Sequence, residues 1–333
     1  MSSHGPQALI RAHATYRGEG IPMVLATVIR TRGSTYRKAG ARMLMTAEGD
    51  ATGIVGGGCF DSDLLEQAQA VAREGKPRSL VYDMRSPDEA IWGLGLGCEG
   101  EVTLFLQPLS DEGNPLLCLE ELMADDRPGR IVTLLESANG SPPGFSWIAG
   151  GSSGPVAIDG EETGFRSGTP PVFVDGFRPP PRLLICGAGV DAVPLARQGL
   201  QLGWRVTVLD HRPGHVRAER FPDDAEVAHF NGALTPLMAR ADAAVVMSHN
   251  LNADRDYLRA LAGTKIGYLG ALGPTARRER LLEELADESL PDRLRGPVGL
   301  DLGGELPEEI ALSITAEIQA FLHAARGRPL TPP

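Results

Sequence analysis

The run Leu183-Leu184-Ile185-Cys186-Gly187-Ala188-Gly189-Val190-Asp191-Ala192 constrains the fold more than any other stretch of this chain. A short apolar run, the length of a buried strand, feeds directly into glycines, and a helical pattern follows to Gly199. The glycines match G-x-G-x-x-A. A second apolar run over 205–209 ends on Asp210, about twenty residues past the glycines, where a dinucleotide fingerprint places its acid. Strand, glycine turn, helix, strand and terminal acid, in that order, predict a Rossmann-like doubly wound parallel-sheet domain over 181–333.

Further α/β units fit the same domain. Strands are expected at 242–248, 265–269 and 298–302, and helices at 254–262, 276–288 and from Pro307 onward. Ile310, Ile314, Ile318, Phe321 and Leu322 form the buried stripe of the last helix. In open parallel sheets the ligand crevice lies beyond the strand C-termini. Gly187, Gly189, Asp210, His249 and Asp301 are therefore expected there. His249 either bonds to a nearby loop or contacts a phosphate or ribose. NAD(P) or another nucleotide is the candidate ligand, since such folds bind several nucleotides, or none.

The N-terminal part reads as α+β. A helix is expected over 5–18, strands over 23–29, 43–46, 78–84 and 101–106, and a helix from 61 to 73. His13 is read as an interface residue of the first helix. Between the second strand and that second helix lies Gly56-Gly57-Gly58-Cys59, with Asp61 and Ser62 as candidate helix caps. Glycines there allow positive φ and close backbone approach. Amides at a helix start favour negative charge and depress a thiol pKa. The loop is either an anion site carrying a reactive sulfur or a tight turn with a small buried thiol.

A second glycine loop, 92–100, carries Cys98. The segment 30–42 holds five cations (Arg30, Arg32, Arg37, Lys38, Arg42) and no carboxylate, inside a chain of net charge -11. A local sign that opposes the global one, with glycines and hydroxyls interleaved, favours anion binding over a merely solvated face. Together these features suggest one pocket with two thiols. Cys118 sits in an apolar helical pattern and is read as packing.

The 333 residues suit two or three domains. The expected division is 1–109, 110–180 and 181–333, with a β-rich middle segment and Pro179-Pro180-Pro181 as the clearest boundary. The acidic balance argues against a general nucleic-acid binder. Four cysteines with no CxxC spacing argue against a disulfide scaffold or a zinc site read from spacing. No basic segment followed by a long apolar run opens the chain, and no run approaches a membrane span. A cytoplasmic location is expected.

The chain resembles the xanthine dehydrogenase accessory proteins, XdhC/CoxI-type maturation factors of molybdenum hydroxylases. The resemblance rests on Val28-Ile29-Arg30-Thr31-Arg32-Gly33-Ser34-Thr35, Gly40-Ala41-Arg42-Met43, Gly56-Gly57-Gly58-Cys59, Gly97-Cys98-Glu99-Gly100 and Gly187-Ala188-Gly189. It continues in Met247-Ser248-His249-Asn250, Gly267-Tyr268-Leu269-Gly270-Ala271-Leu272-Gly273, Pro297-Val298-Gly299-Leu300-Asp301 and Pro307-Glu308-Glu309-Ile310. The resemblance implies a protein that binds the molybdenum cofactor (molybdopterin) and helps a cysteine desulfurase sulfurate it. Such a protein then delivers the cofactor to the apo-enzyme of a molybdenum hydroxylase. It implies cofactor contacts from the glycine loops and arginines, with Cys59 or Cys98 holding molybdenum or relaying sulfur. A homodimer is the expected assembly. An NAD(P)-dependent oxidoreductase built on the C-terminal domain is the alternative; it leaves the cysteine loops and the cationic segment without a role.

Overall fold

A computed structural model of the chain describes residues 5–58, 60–84, 100–150, 154–156, 163–286 and 289–330. The chain divides into two compact units, Ser3–Pro179 and one that starts at Pro180.

The first unit opens with α1 (Pro6–Gly18), β1 (Met23–Gly33), β2 (Arg42–Thr46), β3 (Ala51–Gly53) and α2 (Asp61–Glu74). It continues with β4 (Arg78–Asp83), β5 (Gly100–Pro108), α3 (Pro115–Ala124), β6 (Gly129–Leu134), β7 (Ser146–Ile148), β8 (Gly164–Arg166) and β9 (Val172–Phe177). Two antiparallel sheets result, ordered β3-β2-β1-β5-β4 and β7-β6-β9-β8.

β1 is the spine of this unit. Seven consecutive residues, Met23 to Ile29, are buried, so both faces of the strand are covered. Val24, Ala26 and Val28 share one core with Leu64, Ala68 and Val71 of α2. Met23 and Leu25 point the other way, into a core with Leu9 of α1, Leu116 and Leu119 of α3, and Ile131 of β6. The period-2 alternation of the strand therefore decides which helix each face receives. The stretch 110–180 is expected from the sequence as a separate middle segment; all of it up to Pro179 lies in the same unit, and Leu116, Leu119, Leu122, Ile131 and Phe177 join the second of these cores.

The second unit runs β10 (Arg182–Cys186), α4 (Ala192–Gln201), β11 (Arg205–Asp210), β12 (Glu226–His229), α5 (Pro236–Ala239), β13 (Ala243–Val246) and α6 (Leu251–Ala262). β14 (Tyr268–Ala271), α7 (Thr275–Leu285), α8 (Leu290–Arg293), β15 (Leu294–Arg295) and α9 (Pro307–Leu322) complete it. Its sheet is parallel throughout, ordered β12-β11-β10-β13-β14-β15. Strand order reverses between β10 and β13, which makes that gap the topological switch point. Leu183 and Ile185 face a core shared with α4 and α9, while Leu184 and Cys186 face one shared with α6 and α7. Helices on both faces explain why these strands read as continuous apolar runs.

The last strand is not where the sequence suggested. The edge strand is β15, and 298–302 forms none. Gly299 has φ +111 and donates its N–H to Glu317 of α9, and Leu302 is exposed. This segment therefore packs as a loop against α9, and Asp301 does not end a strand. Among the described residues no helix is long and apolar enough to cross a membrane.

Candidate functional site

In the first unit, the elements named by the sequence converge on one end of the five-stranded sheet. β1 runs past its buried stretch, through an irregularity between Val28 and Arg30, and pairs Thr31, Arg32 and Gly33 with Val102, Glu101 and Gly100 of β5. Arg30 and Arg32 thus sit on the strand rather than in the loop after it, and both are exposed. Met84, just past β4, donates its N–H to Gly100 O at 2.9 Å. A Cβ on Gly100 would collide with Ser34 O and Thr35 Cγ2, so only glycine fits where the second loop enters the sheet.

The first loop reaches the same end. Phe60 stacks on Tyr82 of β4, ring centroids 4.4 Å apart and planes 10° from parallel. Tyr82 Oη donates to Asp63 Oδ2 at 2.6 Å, tying the first turn of α2 to the sheet. Burial, then Asp63, pushes the Tyr82 phenol well above its ordinary range. A Cβ on Gly56 would lie 2.5 Å from Phe60 Cζ, so this glycine is required by the ring beneath it. Gly57 and Gly58 are exposed, and Gly58 takes φ +91 with open space around it. The N-cap of α2 is Phe60, with no side-chain cap; Asp61 and Asp63 instead place their charges in the first turn. Cys59 and Cys98 lie outside the described residues. Phe60, next to Cys59, and Gly100, the first described residue after the second loop, both anchor at this end.

The arginines divide. Arg32 reaches Glu101 at 3.7 Å and keeps 55% of its side chain exposed. Arg30 lies over the Phe165 ring at 5.2 Å. Arg42 behaves differently. Its guanidinium meets Asp175 of β9 at 2.6 Å, with 8% and 12% of the two side chains exposed. That ion pair is internal to the fold and turns the Arg42 head group away from solvent.

The remaining cysteines are structural. Cys118 is half-buried, and burial pushes its thiol up to about 11. Cys186 is buried in β10, with its pKa raised for the same reason. Among the described residues no group of His, Cys, Asp and Glu is arranged to hold a metal ion.

In the second unit the glycine turn, Asp210 and His249 do meet at the strand C-termini. Gly187 takes φ +123, and a Cβ there would sit 2.6 Å from Met247 O, so the turn packs on the strand-end backbone. His249, at φ +58, stands beside Gly189; a Cβ on that glycine would lie 3.6 Å from the ring. His249 Nε2 donates to Asp191 Oδ2 at 2.8 Å, bridging the loop after β13 and the start of α4 across the switch point. Asp191 was missed in the sequence because its helix-cap position hid its partner.

Asp210 is fully buried and already saturated. Its Oδ1 accepts the Arg212 N–H at 2.8 Å and Arg212 Nε at 2.9 Å. Its Oδ2 accepts the Ala188 N–H at 2.7 Å and Arg212 Nη2 at 2.9 Å. Burial alone would raise its pKa, but these donors, led by the Arg212 guanidinium, hold it down at about 2. The backbone approach that a phosphate needs is present at the turn. The free acceptor that an unmodified ribose needs is not.

Residues 183–318 match the XdhC Rossmann domain, and residues 17–83 match the XdhC and CoxI family. A relative from Bacillus subtilis (strain 168), named as a probable subunit of xanthine dehydrogenase, is 32% identical over 307 residues. The match spans 89% of this chain and 92% of the relative. The chain belongs to the XdhC and CoxI family. A second relative, the molybdenum cofactor insertion chaperone PaoD of Escherichia coli (strain K12), is 27% identical over 315 residues, 93% of this chain and 86% of PaoD. Among solved structures, one described as a xanthine dehydrogenase from Bacillus halodurans superposes with a TM-score of 0.79 at 29% identity. That superposition covers 100% of this chain and 98% of the other. The expected α/β architecture, an α+β N-terminal domain followed by a Rossmann-like C-terminal domain, agrees with the Rossmann-domain match and with the sheets described above, antiparallel in the first unit and parallel in the second.

Proposed function

We propose that this family member binds the molybdenum cofactor, aids its sulfuration with a cysteine desulfurase, and inserts it into the apo-form of a xanthine dehydrogenase-type molybdenum hydroxylase. The observation that carries the reading is the convergence at one end of the five-stranded sheet. Exposed Arg30 and Arg32, the N-terminus of α2, and the described anchors of both glycine–cysteine loops all lie there. An anionic pterin phosphate suits the arginines and the helix start. Soft thiolates at Cys59 and Cys98 suit molybdenum or a transferable sulfur. The insertion role also agrees with the name of PaoD. The chain is proposed to act as a homodimer. The oxidoreductase alternative has less support, because it leaves the exposed Arg30 and Arg32 and the two glycine–cysteine loops without a role.

The test is chemical analysis of protein purified from a host that makes the cofactor. Molybdenum and pterin are both expected; the absence of both overturns the reading. Cys59→Ala should lower cofactor retention more than Cys118→Ala does. Equal losses would sink the assignment of the loop.

A further inference from the structure

The fold around the glycine turn implies a nucleotide, and the residues present fit one kind better than another. Beside the turn lies a cavity of about 490 Å³ lined in part by His211, Asn231, Asn250 and Asn252. His211 directly follows Asp210, which accepts the Ala188 N–H of the turn, and Asn250 directly follows His249, which stands beside Gly189, so the cavity borders the strand-end residues that touch the turn. Amides and an imidazole supply both donors and acceptors, which suits the edge of a nucleobase. With a base in the cavity and a 5′-phosphate at the turn, the ribose lies over the end of β11. There the fold ordinarily offers a carboxylate to the 2′-hydroxyl.

In this chain that carboxylate is closed. All four of its near acceptances go to Ala188 and Arg212. A 2′-hydroxyl would have to displace a buried, charge-assisted bond to be heard. The opposite chemistry is well provided for. Arg212 holds Asp210 through Nε and Nη2 while 39% of its side chain stays exposed, so Nη1 is left to donate outward. The stretch 211–220 carries His211, Arg212, His215, Arg217 and Arg220 against one carboxylate, Glu219. Arg220 is committed to Ala188 O at 3.0 Å, and Arg217 is exposed. Asp256, also on the cavity wall, already meets Arg255 and Arg259.

We propose that the C-terminal unit binds a nucleotide whose ribose carries a 2′-phosphate, with Arg212 and Arg217 as its selective contacts, in preference to the same nucleotide with a free 2′-hydroxyl. Asp210 then serves as a positioning residue: it fixes the Arg212 guanidinium and the Ala188 amide rather than touching the ligand. This inference stands apart from cofactor binding by the first unit, and its test uses nucleotides alone.

Calorimetric titration of the full chain with 5′-AMP, adenosine 2′,5′-bisphosphate, NAD+ and NADP+ decides it. The bisphosphate and NADP+ should bind at least about tenfold more tightly than AMP and NAD+, the worth of one charge-assisted hydrogen bond. Arg212→Ala should erase that gap. Because it also releases Asp210, Arg217→Ala is measured beside it; this exposed residue lies outside the lock and should narrow the gap without weakening AMP. Equal affinities, a preference for NAD+, no heat from any of the four ligands, or a gap unchanged in Arg217→Ala would each overturn the proposal.

Discussion

At the scale of single residues, charge near glycine is ambiguous until its partner is found. Arg42 and Arg32 belong to one cationic segment and read alike in the sequence. In the structure one is buried against Asp175 and the other is exposed. Asp175 feels the burial first, which raises its pKa, while Arg42 opposes that rise. Removing Arg42 leaves a buried carboxylate without its counter-charge, and breaking such a pair typically costs about 3–5 kcal/mol. Arg42→Ala should therefore shift the urea midpoint of the chain strongly downward. Arg32→Ala, at an exposed pair, should stay within about 0.5 kcal/mol of the parent. Similar shifts for both would mean the Arg42–Asp175 pair contributes no more than a surface contact. Gly40 belongs to the same arrangement. It takes φ +95, and a Cβ there would lie 2.9 Å from Asp175 Oδ1.

At the scale of elements, most strands and helices were legible because one face of each is buried and the other is not. α2 kept the expected one-sided stripe, with Leu64, Ala68 and Val71 buried. The failures have physical causes. β1 runs on through Arg30 and Arg32 because β5 pairs with it there, a long-range bond that local polarity conceals. Segment 298–302 looked like a strand, yet Gly299 turns it toward α9. The contact between α1 and α3 was also hidden. Asn114 caps α3 by accepting from the Leu116 N–H, and its Nδ2 donates to His13 Nε2 at 3.1 Å. His13 must be neutral to accept that bond. Burial, and then Arg17, lowers its pKa below the ordinary 6.5. With the folded pKa depressed, the unfolded chain binds the extra proton more readily. This contribution to stability is full above about pH 6.5 and is lost as pH falls toward the folded value. Chemical unfolding between pH 7.5 and 5 should show that loss in the parent and a smaller one in His13→Gln. Parallel pH profiles would remove His13 from the account.

At the scale of the whole molecule, each unit closes its own core, and the chemistry splits along the same line. The fold class was legible from one glycine turn in its strand–helix context. The candidate sites were legible only in part. A sequence shows which residues could bind an anion, but not which of them the fold has already paired. Asp210 and Arg42 both sit where a ligand contact is expected, and both are paired internally, Asp210 with Arg212 and Arg42 with a strand far along the chain. The second unit holds two apolar cores, one on each face of its parallel sheet, whose buried residues all lie between Leu183 and Ile318. A sheet covered on both faces needs no outside partner to bury its strands. Residues 180–333 expressed alone should therefore fold. They should show one cooperative thermal transition with sharp near-ultraviolet ellipticity from Trp204, which is buried in the first of these cores. A broad transition with exposed apolar surface would show that the cores are incomplete without the N-terminal unit. The same fragment should reproduce the nucleotide preference of the full chain, because Gly187, Asp210, Arg212, Arg217 and the cavity wall all lie within it. A folded fragment that had lost the preference would place part of that site outside residues 180–333.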